Sequence, residues 1–352
     1  MGNGLTSLSL AKSLVNLGLS IDIFSNQKKI DHDKSRTIGI SKKNLDFFNK
    51  EILNIKGLSW NINKIEIYSD NLKNEKILNF QNNSKILFAT IKNYNLQKKI
   101  LSDLKKNKLC NFKNKNINEN FNFKQYSLII NCDSFNEISK KFFFKNLKKN
   151  YGSFAYTTII KHKKIKNNDI ATQIFTTKGP LAFLPISESE TSIVYSFKGK
   201  SNLDFNKIIK KYNKKYSILD YGKSASFELK SSNLRSYYHK NILAFGDLLH
   251  RLHPLAGQGF NMTLRDIRNL TGLIKFKLDH GLELDNSICT DFENKTKHKN
   301  YLFSTSIDFV YEFFNLERKM NNDFLSKSVQ IFGKNKFINR SFQKIANDGL
   351  DI

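Results

Sequence analysis

The sequence has few cysteines and no long hydrophobic run, and both shortages exclude classes of protein. Its three cysteines, Cys110, Cys132 and Cys289, are widely spaced among 352 residues and form no CxxC pair. This spacing rules out a disulfide framework and a thiolate zinc site, and it favours a reducing compartment. No apolar run approaches the roughly 18 residues of a transmembrane helix. No secretory signal is expected, because Ser, Lys and Asn interrupt the first apolar stretch.

Arginine is also scarce, although the formal charge is +27. Only seven of the 58 basic residues are arginine, and the lysines are spread along the chain and mixed with asparagine. A nucleic-acid binder more often concentrates charge on one element and uses arginine for bidentate contacts. We therefore favour a lysine-rich solvated surface and expect no nucleic-acid partner. Non-specific attraction to an anionic membrane stays open.

Hydrophobic residues are plentiful, at 39% of the chain, so a core large enough for two domains is expected rather than disorder. The three prolines lie in two short segments, GPLAFLP (179–185) and HPLAGQG (253–259). The rest of the chain is rich in Lys, Asn and Ile. The composition of these two segments therefore indicates a local structural requirement. They are candidates for turns that shape a site.

The amino-terminal segment has the pattern of a dinucleotide-binding βαβ unit. Gly2, Gly4 and Ser7 fit G-x-G-x-x-S, a helical pattern follows, and residues 21–24 are typical of a strand. Glycines at such a turn allow the backbone to approach a pyrophosphate at the positive end of the helix dipole. Two parts of the unit are missing. No strand precedes the turn, and Ser25 or Asn26 stands where an acidic residue would hold a ribose.

The most informative stretch is residues 241–270. A buried-type strand ends at Gly246-Asp247, an irregular turn containing Pro254 follows, and Gly257-Gln258-Gly259 opens a long helix. Asp247 is placed to accept hydrogen bonds from hydroxyls of a sugar or ribitol chain. The helix start offers free backbone N–H groups to an anionic or carbonyl-rich ligand. An ordinary strand–loop–helix connection would not need so many special residues.

No catalytic triad or metal cluster is evident. His250 and His253 are three residues apart, but only Asp247 lies at ligand spacing beside them. We therefore interpret them as loop histidines and predict no metal site. Cys132 and Cys289 are interpreted as small core residues rather than nucleophiles.

The chain resembles the ubiquinone-biosynthesis hydroxylases, a branch of the FAD-dependent aromatic monooxygenases with the para-hydroxybenzoate hydroxylase fold. That family carries a G-D-x-x-H-x-x-x-P-x-x-G-Q-G-x-N segment. It is matched here by Gly246, Asp247, His250, Pro254, Gly257, Gln258, Gly259 and Asn261. The likeness extends over nearly the whole chain, from the first glycine turn to the carboxy-terminal helical tail.

The resemblance implies an α/β fold. An FAD-binding Rossmann-like domain, without its first strand, would carry an inserted, mainly antiparallel β-sheet domain for the substrate and a helical carboxy-terminal tail. The FAD-binding domain would comprise residues 1–68, 84–148 and 232–285. The substrate domain would comprise residues 69–83 and 149–231, and the tail residues 286–352.

The resemblance also implies the roles of single residues, with flavin-borne chemistry and no catalytic side chain. Pro180, Leu181, Phe183 and Pro185 would form an apolar wall of the substrate site, although a tight turn and a core strand would explain the same residues. The residues expected to bind FAD are Gly2, Gly4, Ser7, Arg36, Asn93, Asp133, Gly246, Asp247, Pro254, Gly257, Gln258, Gly259, Phe260 and Asn261.

The implied reaction is hydroxylation of a polyprenylated phenol or quinone precursor, with NADH or NADPH and O₂, through a flavin hydroperoxide. We expect a cytoplasmic location, with peripheral contact at the inner face of a membrane and association with other quinone-biosynthesis enzymes as further expectations. One motif departs from the family, because residues 133–136 read Asp-Ser-Phe-Asn and lack the expected Gly and Arg. A divergent or inactive flavoprotein, or a basic membrane- or nucleic-acid-associated protein, is therefore the alternative. We favour a mis-assigned start as the explanation of the missing first strand, so that the true amino terminus would lie upstream of Met1.

Overall fold

A computed structural model describes residues 1–25, 34–72, 75–81, 86–115, 121–199, 203–253, 257–320 and 324–334. The α-helices of this part of the chain are α1 (Leu5–Asn16), α2 (Lys42–Phe47), α3 (Asn93–Lys105), α4 (Glu137–Phe142), α5 (Phe205–Tyr212), α6 (Gln258–Asp279), α7 (Ser287–Met320) and α8 (Phe324–Lys334). Its strands are β1 (Ile21–Phe24), β2 (Thr37–Ser41), β3 (Trp60–Ile62), β4 (Lys64–Ser69), β5 (Glu75–Gln81), β6 (Phe88–Lys92), β7 (Cys110–Lys113), β8 (Ile129–Asn131), β9 (Asn146–His162), β10 (Ile170–Thr176), β11 (Gly179–Pro185), β12 (Glu190–Lys198), β13 (Ile218–Tyr221), β14 (Ala225–Leu234), β15 (Tyr238–His239), β16 (Ile242–Ala244) and β17 (His250–Arg251).

The largest sheet has nine strands in the order β17-β14-β9-β12-β11-β10-β4-β5, with β13 also paired to β9. The neighbours β9, β12, β11 and β10 are antiparallel, whereas β10 and β4 are parallel. The alternation of residues along these strands buries one row of side chains against α5. Leu181, Phe183 and Ile193 lie in that cluster with Ile209. The predicted, mainly antiparallel sheet is confirmed.

Three smaller sheets and α1, α3 and α6 form the other part of the fold. Their orders are β1-β7, β15-β16-β8 and β2-β6-β3. The strands β1 and β7 are parallel, as are β16 and β8. The apolar faces of the helices meet in one large core, in which Leu8 of α1, Leu96 of α3 and Ile267 of α6 have no exposed surface. The predicted α/β architecture with a helical carboxy-terminal region is confirmed.

Residues Met1 and Gly2 connect β1 and β8, at the place where the sequence predicts a missing strand. The Met1 nitrogen donates to the carbonyl oxygen of Ile130 at 2.6 Å, and Cys132 N–H donates to the Met1 carbonyl at 3.1 Å. On the other side, Gly2 N–H donates to the carbonyl of Phe24 at 2.9 Å. These two residues therefore bridge the ends of β1 and β8.

The predicted domain boundaries stay a prediction, and the strands allow them to be refined. The large sheet takes β4 from Lys64 onwards and β9 from Asn146 onwards, a few residues before the predicted boundaries at 69 and 149. The long helix α7 begins at Ser287, next to the predicted boundary at 286. None of the described helices is both long enough and apolar enough to cross a membrane.

Gly179, at the start of β11, should be irreplaceable. Its φ is +144°, and a Cβ at this position would lie 1.7 Å from the Ser196 carbonyl oxygen. We expect Gly179→Ala to lower the free energy of unfolding by about 2–4 kcal/mol, because both backbone strain and a clash must be relieved. The matched control is Gly272→Ala in α6, where a Cβ meets nothing within 4 Å and the gain in helix propensity is about 0.5–1 kcal/mol. Urea unfolding curves measure both changes, and equal stability of the two variants would contradict the assigned hairpin geometry.

Candidate functional site

The amino-terminal glycine turn lies against the end of β8. Gly2 has a φ of +95°, and a Cβ there would lie 3.7 Å from the Cβ of Asp133. The Ser7 hydroxyl donates to the Gly2 carbonyl at 2.6 Å, which fixes the turn. Gly4 caps α1, whose first turn holds no acidic residue. The first N–H groups of α1 have no partner within the helix and favour an anionic ligand.

The Gly246-Asp247 turn packs on the same helix end. Gly246 has a φ of +64°, and a Cβ there would lie 2.6 Å from Cγ2 of Thr6 in the first turn of α1. The Asp247 side chain is exposed. Burial raises the pKa of Cys132 to about 11, and the charges of Asp247 and Asp133 contribute to this rise. Asp133 follows Cys132 directly in the chain and lies beside the glycine turn.

The predicted residues Arg36 and Asn93 meet at the start of α3. The Asn93 N–H donates to the Arg36 carbonyl at 3.0 Å, and the Arg36 guanidinium lies 5.3 Å from the centre of the Phe227 ring on β14. The Gln97 amide donates to the Asn3 carbonyl at 2.9 Å, so that α3 begins beside the turn before α1. The Asn93 Oδ1 is buried and has no hydrogen-bond partner among the described residues. A buried amide oxygen of this kind is costly unless a ligand satisfies it.

The start of α6 packs on β2. Gly257 caps the helix with a φ of +65° and a ψ of 25°, and a Cβ there would lie 3.5 Å from the Gly39 nitrogen. Gln258 is buried, Gly259 is exposed and Phe260 is half-buried. The predicted flavin contact at Pro254 lies outside the described residues.

The Asn261 side chain bonds within the protein, and its predicted contact with FAD stays a prediction. Its amide donates to the carbonyls of Gly39 at 2.9 Å and Gly257 at 3.1 Å. Its Oδ1 accepts from Ser41 N–H at 2.8 Å and from the Asn44 amide at 3.0 Å. The side chain is thus committed to joining α6 to β2 and α2. The groups that α6 can offer to a ligand are the backbone N–H groups of residues 258–260.

The two singled-out histidines take buried packing positions. His250 Nε2 hydrogen-bonds to Asp266, which also accepts from the Asn300 amide at 3.0 Å. His253 packs edge-on against Tyr151, with ring centres 4.8 Å apart. Within the described ranges, no group of three His, Cys, Asp or Glu side chains has the arrangement of a metal site. Sequence reasoning missed Asp266, although a buried acidic residue on the apolar face of a helix is itself a signal.

The altered 133–136 motif caps a helix. Asn136 accepts a hydrogen bond from Ser139 N–H at 2.8 Å at the start of α4, and its amide donates to Asn131 Oδ1 at 2.9 Å. The Asn131 amide donates in turn to the Ser139 hydroxyl at 2.8 Å. Asp133 lies next to Gly2. The cap that Asn136 forms on α4 is therefore compatible with the predicted place of Asp133 beside the glycine turn.

The substrate residues predicted on β11 do not share one surface. Leu181 and Phe183 point towards α5 and belong to the core on that side, so they do not form a wall towards the glycine turns. Pro180 and Pro185 are buried. The opposite face of the sheet approaches β2, because the Thr37 hydroxyl donates to Ser192 at 2.7 Å. Alternation along β11 places Ala182 and Leu184 on that face.

The chain is similar in sequence to curated enzymes of ubiquinone biosynthesis. It is 22% identical over 259 residues to ubiquinone biosynthesis monooxygenase COQ6 of Schizosaccharomyces pombe, which covers 59% of this chain and 54% of that protein. It is 24% identical over 153 residues to 3-demethoxyubiquinol 3-hydroxylase of Escherichia coli, with 41% and 39% covered. The chain spans about half the length, or less, of these curated relatives. No family model matches it. The resemblance inferred from the sequence is confirmed.

Solved protein structures share the fold. p-Nitrophenol 4-monooxygenase PnpA from Pseudomonas putida superposes with a TM-score of 0.79 at 10% identity, covering 98% of this chain and 96% of that one. HpxO of Klebsiella pneumoniae, complexed with FAD and uric acid, superposes with a TM-score of 0.75 at 14% identity, covering 98% and 95%. At such low identity the likeness shows the fold alone.

The Asn261 network predicts a large loss of stability on truncation. Asn261→Ala would leave Ser41 N–H and the Gly39 carbonyl without their side-chain partner in a buried place, and we expect a loss of about 2–4 kcal/mol in the free energy of unfolding. The control is Thr271→Ala in the same helix. The Thr271 hydroxyl only donates to the Ile267 and Arg268 carbonyls of its own helix, so a change below about 1 kcal/mol is expected. Similar urea midpoints for the two variants would show that Asn261 does not hold α6 on β2.

Proposed function

We propose that the protein is an FAD-dependent monooxygenase that hydroxylates the aromatic ring of a hydrophobic, polyprenylated phenol or quinone precursor in ubiquinone biosynthesis. The observation that carries the proposal is the contact of Gly246 with Thr6. It unites two glycine turns from opposite ends of the sequence, around Gly4 and Gly246, at the start of α1. Relatives named for ubiquinone biosynthesis support the substrate class. The shared fold with HpxO, which was solved in complex with FAD, supports the cofactor.

The residues at these turns suit FAD. A Cβ at Gly4 or Gly259 would meet nothing within 4 Å, so the backbone is open to close approach. The first turns of α1, α3 and α6 carry no acidic side chain that would repel a pyrophosphate. The buried Asn93 Oδ1 has no partner among the described residues and can accept a hydrogen bond from a ribityl hydroxyl. Burial of the Asn93 oxygen is costly without a ligand, and the open backbone at the glycine turns is unused without one.

Each of these turns and helix starts would then bind a different part of FAD. The Gly2–Gly4 turn and the α1 N–H groups would hold the pyrophosphate, with Ser7 keeping the turn in shape. Asp247 and Asn93 would bind hydroxyls of the ribityl chain, and the N–H groups at the start of α6 would stabilise negative charge on the flavin ring. Bound FAD supplies the redox and oxygen chemistry. The chain orients the ring and excludes water with the sheet face that carries Ala182 and Leu184.

NADH or NADPH is proposed as the electron donor and a hydrophobic aromatic molecule as the substrate, with peripheral membrane contact and other quinone-biosynthesis enzymes as proposed partners. A second candidate is a divergent or inactive flavoprotein of the same fold. It is favoured by the 133–136 segment, which lacks the Gly and Arg of the resembled family and whose Asn136 caps α4. The two candidates share FAD binding and differ in substrate-dependent turnover.

Asn93→Ala separates a binding role from a structural one. Loss of one hydrogen bond to FAD should weaken its binding about tenfold. The FAD-free protein should be as stable as the parent or more stable, because a buried unpaired oxygen is removed. The control is Asn95→Ala, two residues further on in α3 at an exposed position. Titration calorimetry with FAD and thermal unfolding of the FAD-free variants measure both effects. Unchanged FAD affinity in Asn93→Ala would remove Asn93 from the site.

The activity test starts from the visible absorption spectrum of the protein reconstituted with FAD. The proposal expects flavin absorption, oxidation of NADH or NADPH that a polyprenylated phenol accelerates, and a product that is heavier by one oxygen atom. A flavin spectrum without substrate-dependent oxidation would favour the divergent flavoprotein. A preparation that does not bind FAD would contradict both candidates and favour a basic binding protein.

A further inference from the structure

The second half of helix α7 exposes large apolar side chains. They are Tyr301, Leu302, Phe309, Val310 and Leu316. Phe309 is 68% exposed and Leu302 is 54% exposed. Leu302, Phe309 and Leu316 follow one another at intervals of two helical turns, so they lie on one face of the helix. We call the exposed residues of this face, from 301 to 316, the α7 stripe; it is about 23 Å long at about 1.5 Å per residue.

The first half of the same helix face is polar. It exposes Asp291, Asn294, Lys295 and His298. Both halves face solvent, so exposure to water does not explain the composition of the stripe. Charged residues make up 25% of the chain, yet none of the exposed residues that the structure describes from 301 to 316 is charged. A contiguous exposed apolar patch of this kind marks an interaction site.

The polar groups in and beside the stripe have partners within the protein. The Thr305 and Ser306 hydroxyls each donate to a carbonyl four residues earlier in the helix, at 2.9 Å. The Glu312 carboxylate, at the side of the stripe, forms an ion pair with Lys149 of β9 at 2.9 Å. Withdrawal of the stripe from water would therefore cost little in lost hydrogen bonds. The stripe is suited to a dry, apolar environment.

Lysines border the stripe. Lys149 reaches it from β9, Lys148 is exposed directly before it, and Lys230 is exposed on the neighbouring strand β14, opposite Asn150. The whole chain carries a formal charge of +27, so two copies repel each other, whereas an anionic surface attracts the protein. Charge therefore favours an anionic lipid surface over a second copy of the chain as the partner of the stripe.

The buried face of the same helix reaches the candidate site. The Tyr311 ring lies 4.3 Å from the ring of His253, centre to centre. One turn pair earlier, Phe303 packs in a buried cluster with Leu252 and Met262 of α6. The helix that carries the stripe outside thus contacts, on its inside, the segments on both sides of the turn that opens α6. A lipid surface at the stripe would hold the candidate FAD site close to that surface.

We propose that the α7 stripe is the surface with which the protein lies on an anionic lipid bilayer, with α7 parallel to the membrane plane. Leu302, Phe309 and Leu316 enter the boundary between head groups and acyl chains, and the bordering lysines contact anionic head groups. An apolar helix face with cationic side chains around it is typical of helices that lie in this interface. The proposal gives a place to the membrane contact of the proposed function and rests on that function for the membrane as the source of a polyprenylated substrate.

Matched double variants test the stripe on vesicles of phosphatidylcholine with about 30% phosphatidylglycerol. Leu302→Ser/Phe309→Ser removes two apolar side chains from the stripe. The control, Phe276→Ser/Leu282→Ser, removes the same residue types at the end of α6, where they are 56% and 50% exposed. In a sedimentation assay the stripe variant should bind at least about tenfold more weakly than the parent, and the control within about twofold of it. Equal binding by the two double variants, or no binding by the parent, would overturn the proposal.

A fluorescent variant tests whether the stripe enters the bilayer. Phe309→Trp should give emission that shifts to the blue on the same vesicles and is quenched by brominated lipid, because the ring moves from water to acyl chains. Phe276→Trp is the matched control and should give neither change. The signal of Trp60, the single native tryptophan, is subtracted with the parent protein. Emission from Phe309→Trp that brominated lipid does not quench would contradict insertion.

Sedimentation velocity without lipid separates a bilayer from a second copy. The parent and both double variants should have the same mass. A dimeric parent that becomes monomeric in Leu302→Ser/Phe309→Ser would assign the stripe to a second copy and overturn the proposal. FAD titration of all three proteins should give equal affinities, since the stripe lies outside the candidate site. Normal FAD binding without vesicle binding would contradict this proposal alone, and vesicle binding without FAD binding would contradict the proposed function alone.

Discussion

The close contact between Gly246 and the first turn of α1 is the constraint on which the candidate site depends. A Cβ at residue 246 would lie 2.6 Å from Thr6, and the positive φ disfavours any other residue. Glycine at this position lets a strand end and a helix start share one surface. The exposed Asp247 follows this contact directly in the chain. This is a suitable arrangement for a ligand with both hydroxyls and phosphates.

A second set of contacts holds the rest of the site in register with this point. Asn261 joins the start of α6 to Gly39 and Ser41 of β2, and Arg36, just before β2, accepts from Asn93 at the start of α3. Together with the bond from the Gln97 amide to the Asn3 carbonyl, these contacts tie the starts of α1, α3 and α6 to one another. The open N–H groups belong to rigid helices. They are therefore already in position before a ligand binds.

Sequence reasoning predicted much of this fold because the strongest signals are local. Glycine turns at 2–4, 246 and 257 need particular backbone geometry, and the resemblance to a known family implied the mainly antiparallel sheet. It could not assign partners across the chain. The Asn261 side chain bonds to residues more than 200 positions away. Leu181 and Phe183 alternate correctly, but which sheet face meets β2 depends on tertiary packing.

Hydrogen exchange with and without FAD tests most directly our proposal that separate turns form one site for FAD. We expect FAD to slow exchange together in residues 4–8, 93–97, 246–249 and 257–261, while residues 218–221 of β13 are unaffected. Protection confined to one of these segments, or absent from all four, would contradict a shared cofactor site.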